Sequence, residues 1–471
     1  MNQLSTRTSP DTPWRLASLA LAMLLSSLGT SIANVALPTL AREFAASFQA
    51  VQWVVLAYLL AVTTALVVVG RLGDQFGRRR LMLAGIGVFV LGSALAAASG
   101  SLAWLMAARV VQGLGAAVMM ALSMALVGDA VPKSQSGRAM GLLGTMSAVG
   151  TALGPSLGGG LVAAFGWPAI FLATAALGLV AFAFAARHLP ADARTAAPAS
   201  FDLPGAALLA SALAAYALAM TLPHGTPGTL RLALLLLSLV LAGAFFAVEV
   251  RSPAPLLRFA LFREPGIGAG FAMAALVNVV AMTTLVVGPF HLARALGLAP
   301  AAVGLVMTAG PAVAALLGVP AGRAVDRFGS RRVLRLGLAS MAAGCVGFAA
   351  LPFSLGVPAY VLPLVLTTAG FAIFQAANNT AVVTAVAPER RGLVSALLTL
   401  ARNLGLVTGA SAMGAVFLAA TGAASLAAAD AAAIAKGTHV AFAVGGLLVA
   451  IAFAMTLAPV RAAAAVQGER A

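Results

Sequence analysis

Long apolar runs alternate along the chain with short polar segments that carry most of the arginines. A helix needs roughly 20 mostly apolar residues to cross a bilayer, at a rise of ~1.5 Å per residue. Runs of this kind fall at about 15–37, 50–70, 81–99, 102–128, 137–164, 168–187, 203–222, 230–250, 267–292, 302–321, 333–352, 357–382, 392–419 and 438–459. The pattern predicts an all-α integral membrane fold of about 14 transmembrane helices. The apolar stretch after Arg15 could pass for a signal peptide. Thirteen more runs follow it, so it is read as a retained helix.

Composition agrees with a lipid-facing surface. Of 471 residues, 62% are hydrophobic and 8% are charged, against about 25% charged in soluble domains. The 49 glycines suit helices that pack backbone to backbone. The single cysteine, Cys345, allows no intramolecular disulfide. The formal charge of +16 does not point to nucleic acid, because the arginines fall mostly in short clusters between spans and form no basic helix face. With both termini placed in the cytoplasm, 22 of the 28 Lys and Arg fall on that side. Only Arg42, Arg231, Arg294 and Lys436 fall opposite, and Arg109 and Arg402 lie inside spans. That asymmetry predicts the orientation, and the expected location is a bacterial cytoplasmic (inner) membrane.

The chain repeats itself. Residues 70–80 read GRLGDQFGRRR and residues 322–332 read GRAVDRFGSRR, with seven of eleven positions identical. Each copy follows an even-numbered span. Two copies in one orientation imply two six-helix bundles related by a pseudo-two-fold along the membrane normal. The expected division is an N-terminal bundle at 1–190, a linker with two inserted helices at 191–252, and a C-terminal bundle at 253–471. Gly70, Gly73 and Gly77 are expected to let the chain turn sharply between the second and third helices.

Four segments resemble motifs of the major facilitator superfamily, in order and each at the expected span. Gly70-Arg71-Leu72-Gly73-Asp74-Gln75-Phe76-Gly77-Arg78-Arg79-Arg80 resembles motif A. Arg109-Val110-Val111-Gln112-Gly113 begins a segment similar to the helix 4 motif. Gly150-Thr151-Ala152-Leu153-Gly154-Pro155-Ser156-Leu157-Gly158-Gly159 resembles the helix 5 motif of the antiporter branches. Asn34-Val35-Ala36-Leu37-Pro38 resembles a motif of the fourteen-helix drug:proton antiporters. The resemblance implies a secondary transporter that exports small organic molecules by alternating access, with protons as the candidate coupling ion. It also implies that Asp74 latches the two bundles, with Asp129, Arg78 and Arg79 beside it.

Further candidates come from the residues themselves. Gly137, Gly141, Gly144, Ala148, Thr151, Gly154, Pro155 and Gly158 recur every three or four positions and put small residues on one helix face. Pro155 favours a kink. Polar groups inside spans mark a pathway or glue helices together. Asn34, Arg109, Gln112, Asn278, Gln375, Asn378 and Arg402 are the candidates for cavity or coupling roles. Two intramembrane cations with no deep carboxylate to pair them favour neutral or anionic substrates over cations.

One departure matters for coupling. The drug antiporters usually carry an aspartate five residues before the motif asparagine, and here that position is Gly29. The alternative is a uniporter or exchanger without proton coupling. A membrane enzyme or sensor is the competing class. It lacks support: the four histidines are scattered and no Walker-type loop is present. The expected partners are therefore a small-molecule substrate, candidate protons and the lipid bilayer. No cofactor, metal site or nucleic acid is expected, and a monomer is the default state.

Overall fold

The computed structural model describes residues 12–130, 136–192, 203–222, 226–251, 266–386, 391–423 and 429–457. The helices are α1 (Thr12–Glu43), α2 (Phe48–Phe76), α3 (Arg78–Ala97), α4 (Leu102–Ala130), α5 (Ser136–Phe165), α6 (Pro168–His188), α7 (Leu203–Thr221), α8 (Gly228–Arg251), α9 (Ile267–Phe290), α10 (Pro300–Phe328), α11 (Ser330–Ala350), α12 (Val357–Thr384), α13 (Arg391–Thr408), α14 (Gly414–Thr421) and α15 (Ala431–Met455). A π-helical turn, Gly409–Met413, joins α13 to α14, so the two make one rod and the rods number fourteen among the described residues. Helices are what a bilayer demands, since lipid offers no partner for a free backbone N–H or C=O. Thirteen of the rods are long and apolar enough to cross, and α7 contributes a shorter apolar stretch at 207–221. The last helix begins at Ala431 rather than 438, where Asp430 caps it by accepting from the Ala433 N–H at 2.7 Å.

The repeat is a structural repeat. Gly77 ends α2 at φ 90°, ψ 130°, and Gly329 ends α10 at φ 81°, ψ 148°. Each is a one-residue joint in a region that side chains avoid. The expected turn at Gly70 and Gly73 is corrected here. Both lie inside α2, which runs on to Phe76, so Gly77 alone turns the chain.

The two halves pack alike. In the first, α1 lies on α5, α2 on α4, and α3 on both α4 and α6. In the second, α9 lies on α13, α10 on α12, and α11 on both α12 and α15. The inserted helices α7 and α8 pack on each other, tied by a bond from the Ser238 hydroxyl to the Ala212 carbonyl at 2.9 Å. The α7 helix leans on α2, where the Trp53 indole donates to the Thr221 hydroxyl at 2.9 Å. The α8 helix is peripheral: 11% of its apolar window is buried, against 72% for α1.

The halves meet at the end away from the termini, called here the distal end. One apolar cluster spans the seam, with Phe48 and Trp167 from the first half and Phe290, Met413 and Phe417 from the second. Phe48 stands edge-on to Phe290 with centroids 4.8 Å apart and touches Phe417 at 5.5 Å. Towards the terminal end the clusters separate. One contains Leu19, Val69, Met82, Leu126 and Ala185 from the first half alone. Another contains Phe271, Val382, Val394 and Leu398 together with Leu209 and Phe245 from the inserted pair. Among the described residues, the molecule is sealed distally and divided at the terminal end.

Candidate functional site

Arg109 sits inside the first half with its side chain fully buried. It donates from Nε to the Val54 carbonyl at 2.9 Å, from Nη2 to the Gly29 carbonyl at 3.0 Å, and from Nη1 to Gln112 Oε1. Its guanidinium lies 4.2 Å from the centre of the Tyr58 ring. Gln112 passes the network on by donating to the Ser93 hydroxyl at 2.7 Å. The Tyr58 hydroxyl donates to the Ser26 carbonyl at 2.6 Å. Arg109 and Gln112 therefore tie α1, α2, α3 and α4 together. Gly29 has two duties there: its carbonyl takes the charge, and a Cβ on it would meet the Tyr58 hydroxyl at 2.9 Å.

Helix α5 uses its small face on two partners. A Cβ at Gly150 would strike the Leu24 carbonyl at 2.2 Å, one at Gly154 the Ser31 hydroxyl at 2.0 Å, and one at Gly158 the Ile32 carbonyl at 2.8 Å. All three lie on α1. Gly159 faces the other half, where its Cβ would lie 2.6 Å from the Pro300 carbonyl. A Cβ at Gly304 of α10 would lie 2.3 Å from the Pro155 carbonyl. The segment 150–159 thus builds both the α1 contact and half of the distal seam. Gly144 faces open space, and the side chains of residues 137, 141 and 148 lie outside the described residues. The Gln52 side chain also crosses the seam, donating to the Ala410 carbonyl at 2.8 Å. Gly414 is glycine because a Cβ would overlap that amide.

The second half holds the polar groups left over. Arg402 on α13 donates from Nη2 to Asn379 Oδ1 on α12. Its Nε is buried without a partner, as are Gln375 Oε1 and Asn378 Oδ1 on α12 and Asn403 Nδ2 on α13. Gln375 stands one helical turn from Asn379 on the same face. Asn378 donates to the Gly270 carbonyl at 3.1 Å and holds α12 against α9. Asn278 donates to Ala274 of its own helix at 2.8 Å, and Asn34 to Thr30 at 2.9 Å. These two are turned onto their own helices, though Asn34 Oδ1 keeps no partner. His291, at the start of the π-helical turn that ends α9, shares a bond of 3.0 Å with the Thr438 hydroxyl and stacks on Tyr360 at 5.7 Å.

At the terminal end, the side chains of Asp74 and Asp129 lie outside the described residues. What is described is the joint behind them. The Asp192 carboxylate accepts from the Arg79 N–H at 2.7 Å and the Arg80 N–H at 3.1 Å, capping α3. Arg78 opens the same turn of α3. The Arg79 guanidinium donates to the Ala186 carbonyl of α6 at 2.6 Å. A Cβ at Gly77 would lie 2.4 Å from Asp192. Sequence reasoning missed Asp192, whose partners lie more than 100 residues earlier in the chain. It also missed the seam role of Gln52, although a glutamine inside an apolar run is a signal.

Two similarly packed six-helix halves, joined at one end around polar groups inside the bundle, define a membrane transporter of the alternating-access class. The sequence profile of the Major Facilitator Superfamily matches residues 19–290 and again 267–470. The chain belongs to that family, and it is an integral membrane transporter, not an enzyme. It is 30% identical to the riboflavin transporter RibZ of Clostridioides difficile (strain 630), over 85% of this chain and 87% of that protein. It is likewise 30% identical to the multidrug efflux pump LfrA of Mycolicibacterium smegmatis (strain ATCC 700084 / mc(2)155), over 88% of this chain and 83% of that protein. Its fold is similar to the crystal structure of a bacterial homologue of the human lysosomal transporter Spinster, inward-facing and unoccupied. That likeness has a TM-score of 0.69 at 17% identity, over 95% of this chain and 96% of the other.

Proposed function

We propose that this chain exports neutral or anionic small organic molecules across a bacterial cytoplasmic membrane, with both termini in the cytoplasm and a proton gradient as the driving force. The halves at residues 1–190 and 253–471 rock about the distal seam, and residues 191–252 supply the linker and the inserted pair. It works as a monomer. The charge asymmetry supports the orientation, and the similarity to a riboflavin transporter and a multidrug efflux pump supports small organic cargo.

The observation that carries the substrate class is the polar set between α12 and α13. Arg402 offers a cation and a free N–H, Asn403 offers a free N–H, and Gln375 and Asn378 offer free carbonyls. Buried polar atoms ordinarily find partners, so a ligand with acceptors for the first pair and donors for the second fits this set. Asn34, Arg109, Gln112 and Asn278 serve as its supporting frame.

A second reading has its own observation. The carbonyl of Gly29, where the drug antiporters carry an acid, is held by Arg109. That favours exchange or facilitated diffusion without a proton. Counterflow in proteoliposomes separates the readings. Export coupled to protons predicts accumulation that nigericin abolishes. Exchange predicts counterflow that nigericin leaves intact. Absence of counterflow for every neutral and anionic compound in a broad panel, with cations exchanged instead, would reject the substrate class.

A further inference from the structure

The inserted helix α7 touches both halves at the distal end. Towards the first half, the Trp53 indole N–H of α2 donates to the Thr221 hydroxyl at 2.9 Å. That hydroxyl gives its own proton to the Ala217 carbonyl at 2.8 Å, so it only accepts from Trp53. Towards the second half, the Tyr216 hydroxyl bonds to the hydroxyls of Thr408, which ends α13, and Ser411, in the π-helical turn Gly409–Met413. Both of these donate along their own helix, to the Leu404 and Val407 carbonyls at 2.9 and 2.7 Å. Their oxygens are left as acceptors, and Tyr216 is the donor. Between the two bonds, Ala217 is fully buried in the apolar cluster that spans the seam.

A third bond closes the figure. Gln52, next to Trp53 on α2, donates to the Ala410 carbonyl of the same π-helical turn at 2.8 Å. Helix α2 thus reaches that turn by two routes. One is direct, through Gln52. The other runs through α7, with Trp53–Thr221 as its first link and Tyr216 as its second. Losing either link breaks the second route and leaves the first. The rest of α7 is seated in the same way: it packs along α2, while its Leu209 enters the cluster of Phe271, Val394 and Leu398 in the second half.

We propose that α7 is a strap across the distal seam, and that Trp53 and Tyr216 are positioning residues for transport whose bonds hold the distal end shut. Opening that end moves α2 away from the π-helical turn, and α7 cannot follow both. One of its two links must part. A contact made in one state only shifts the equilibrium towards that state. The strap therefore works beside the ring contacts of Phe48 with Phe290 and Phe417. It gives the inserted pair a part in the cycle, whichever ion drives transport.

Spin labels at Gly100 and Leu355, exposed at the distal end on opposite halves, report opening by pulsed electron resonance in the full-length Cys345→Ser protein in liposomes. Trp53→Phe and Tyr216→Phe each remove one donor and keep a ring. Each is expected to raise the distal-open fraction roughly two- to ten-fold, the net effect of one hydrogen bond. Thr221→Val breaks the first link from its other side and should match Trp53→Phe. The links stand in series, so the Trp53→Phe, Tyr216→Phe double variant should open no further than the larger single variant. Gln52→Ala acts on the parallel route and should add to either. Unchanged distal distances in both Trp53→Phe and Thr221→Val would overturn the strap. So would additive opening in the double variant, which would mean two local contacts with no path between them.

Discussion

Arg79 and Arg331 stand at the same place in the internal repeat, and each donates to a carbonyl at the end of the last helix of its own half. Arg79 reaches Ala186 in α6 at 2.6 Å, and Arg331 reaches Thr456 at the end of α15 at 3.0 Å. Arg335 doubles the second contact, with 2.9 Å to the same carbonyl. A guanidinium at a helix C-terminus satisfies carbonyls that no helix bond can reach. Each half thus has its third helix clamped to its sixth.

The joints behind these clamps are expected to tolerate a methyl group unequally. Gly77→Ala must hold a strained φ and also displace Asp192. Gly329→Ala meets only the strain, since nothing lies within 4 Å of its Cβ position. Strain alone costs about 1–3 kcal/mol. Thermal unfolding in detergent should place Gly77→Ala clearly below Gly329→Ala, and Asp192→Ala in the Gly77→Ala background should recover part of the loss. Equal losses at the two glycines would show that Asp192 does not hold the joint.

The latch proposed for motif A rests on Asp74. Asp74→Asn is expected to lower the transport rate strongly while leaving expression and unfolding temperature near the parent. Asp326, its counterpart, is exposed at the end of α10. Asp326→Asn should therefore change the rate little. Initial rates in proteoliposomes check both, and equal small effects would reduce the two segments to topology signals.

Much of this architecture is written in the sequence because the bilayer reads sequence coarsely. Length and apolarity suffice to place α3, α4 and α6 within a few residues. The repeat of Gly77 and Gly329 was visible as a matched pair before any backbone angle was known. Gln112 stands one helical turn from Arg109 in the sequence, but the other two partners of Arg109 were not legible. They are the carbonyls of Gly29 and Val54, and a backbone acceptor leaves no mark on residue identity. The same holds for Asp192, whose donors are backbone N–H groups. The stripe on α5 was legible as a packing face, but not its division between α1 and α10. A glycine shows only that something comes close. The end of α2 was misplaced because helix and loop are equally tolerant of a polar run such as 70–76.

Substrate charge is expected to depend on Arg402 and not on Arg109. Arg402→Gln should reduce transport of an anionic substrate at least ten-fold more than that of a neutral one. Arg109→Gln should instead lower the unfolding temperature, because it removes the buried bonds that tie α4 to the Gly29 carbonyl of α1 and the Val54 carbonyl of α2. Charge-selective loss in Arg109→Gln, at parental stability, would reverse the two roles.

Alternating access about the distal seam is tested most directly by two distances measured in one protein. Spin labels replace Gly100 and Leu355 at the distal end, and Arg80 and Arg332 at the terminal end, in a Cys345→Ser background; all four positions are exposed. Pulsed electron resonance in liposomes reads each pair. The parent is expected to show a short distal and a long terminal distance. Gly304→Val, whose side chain would press on the Pro155 carbonyl, is expected to lengthen the first and shorten the second together. Invariant distances at both ends, in a Gly304→Val protein that is folded and still transports, would contradict the account.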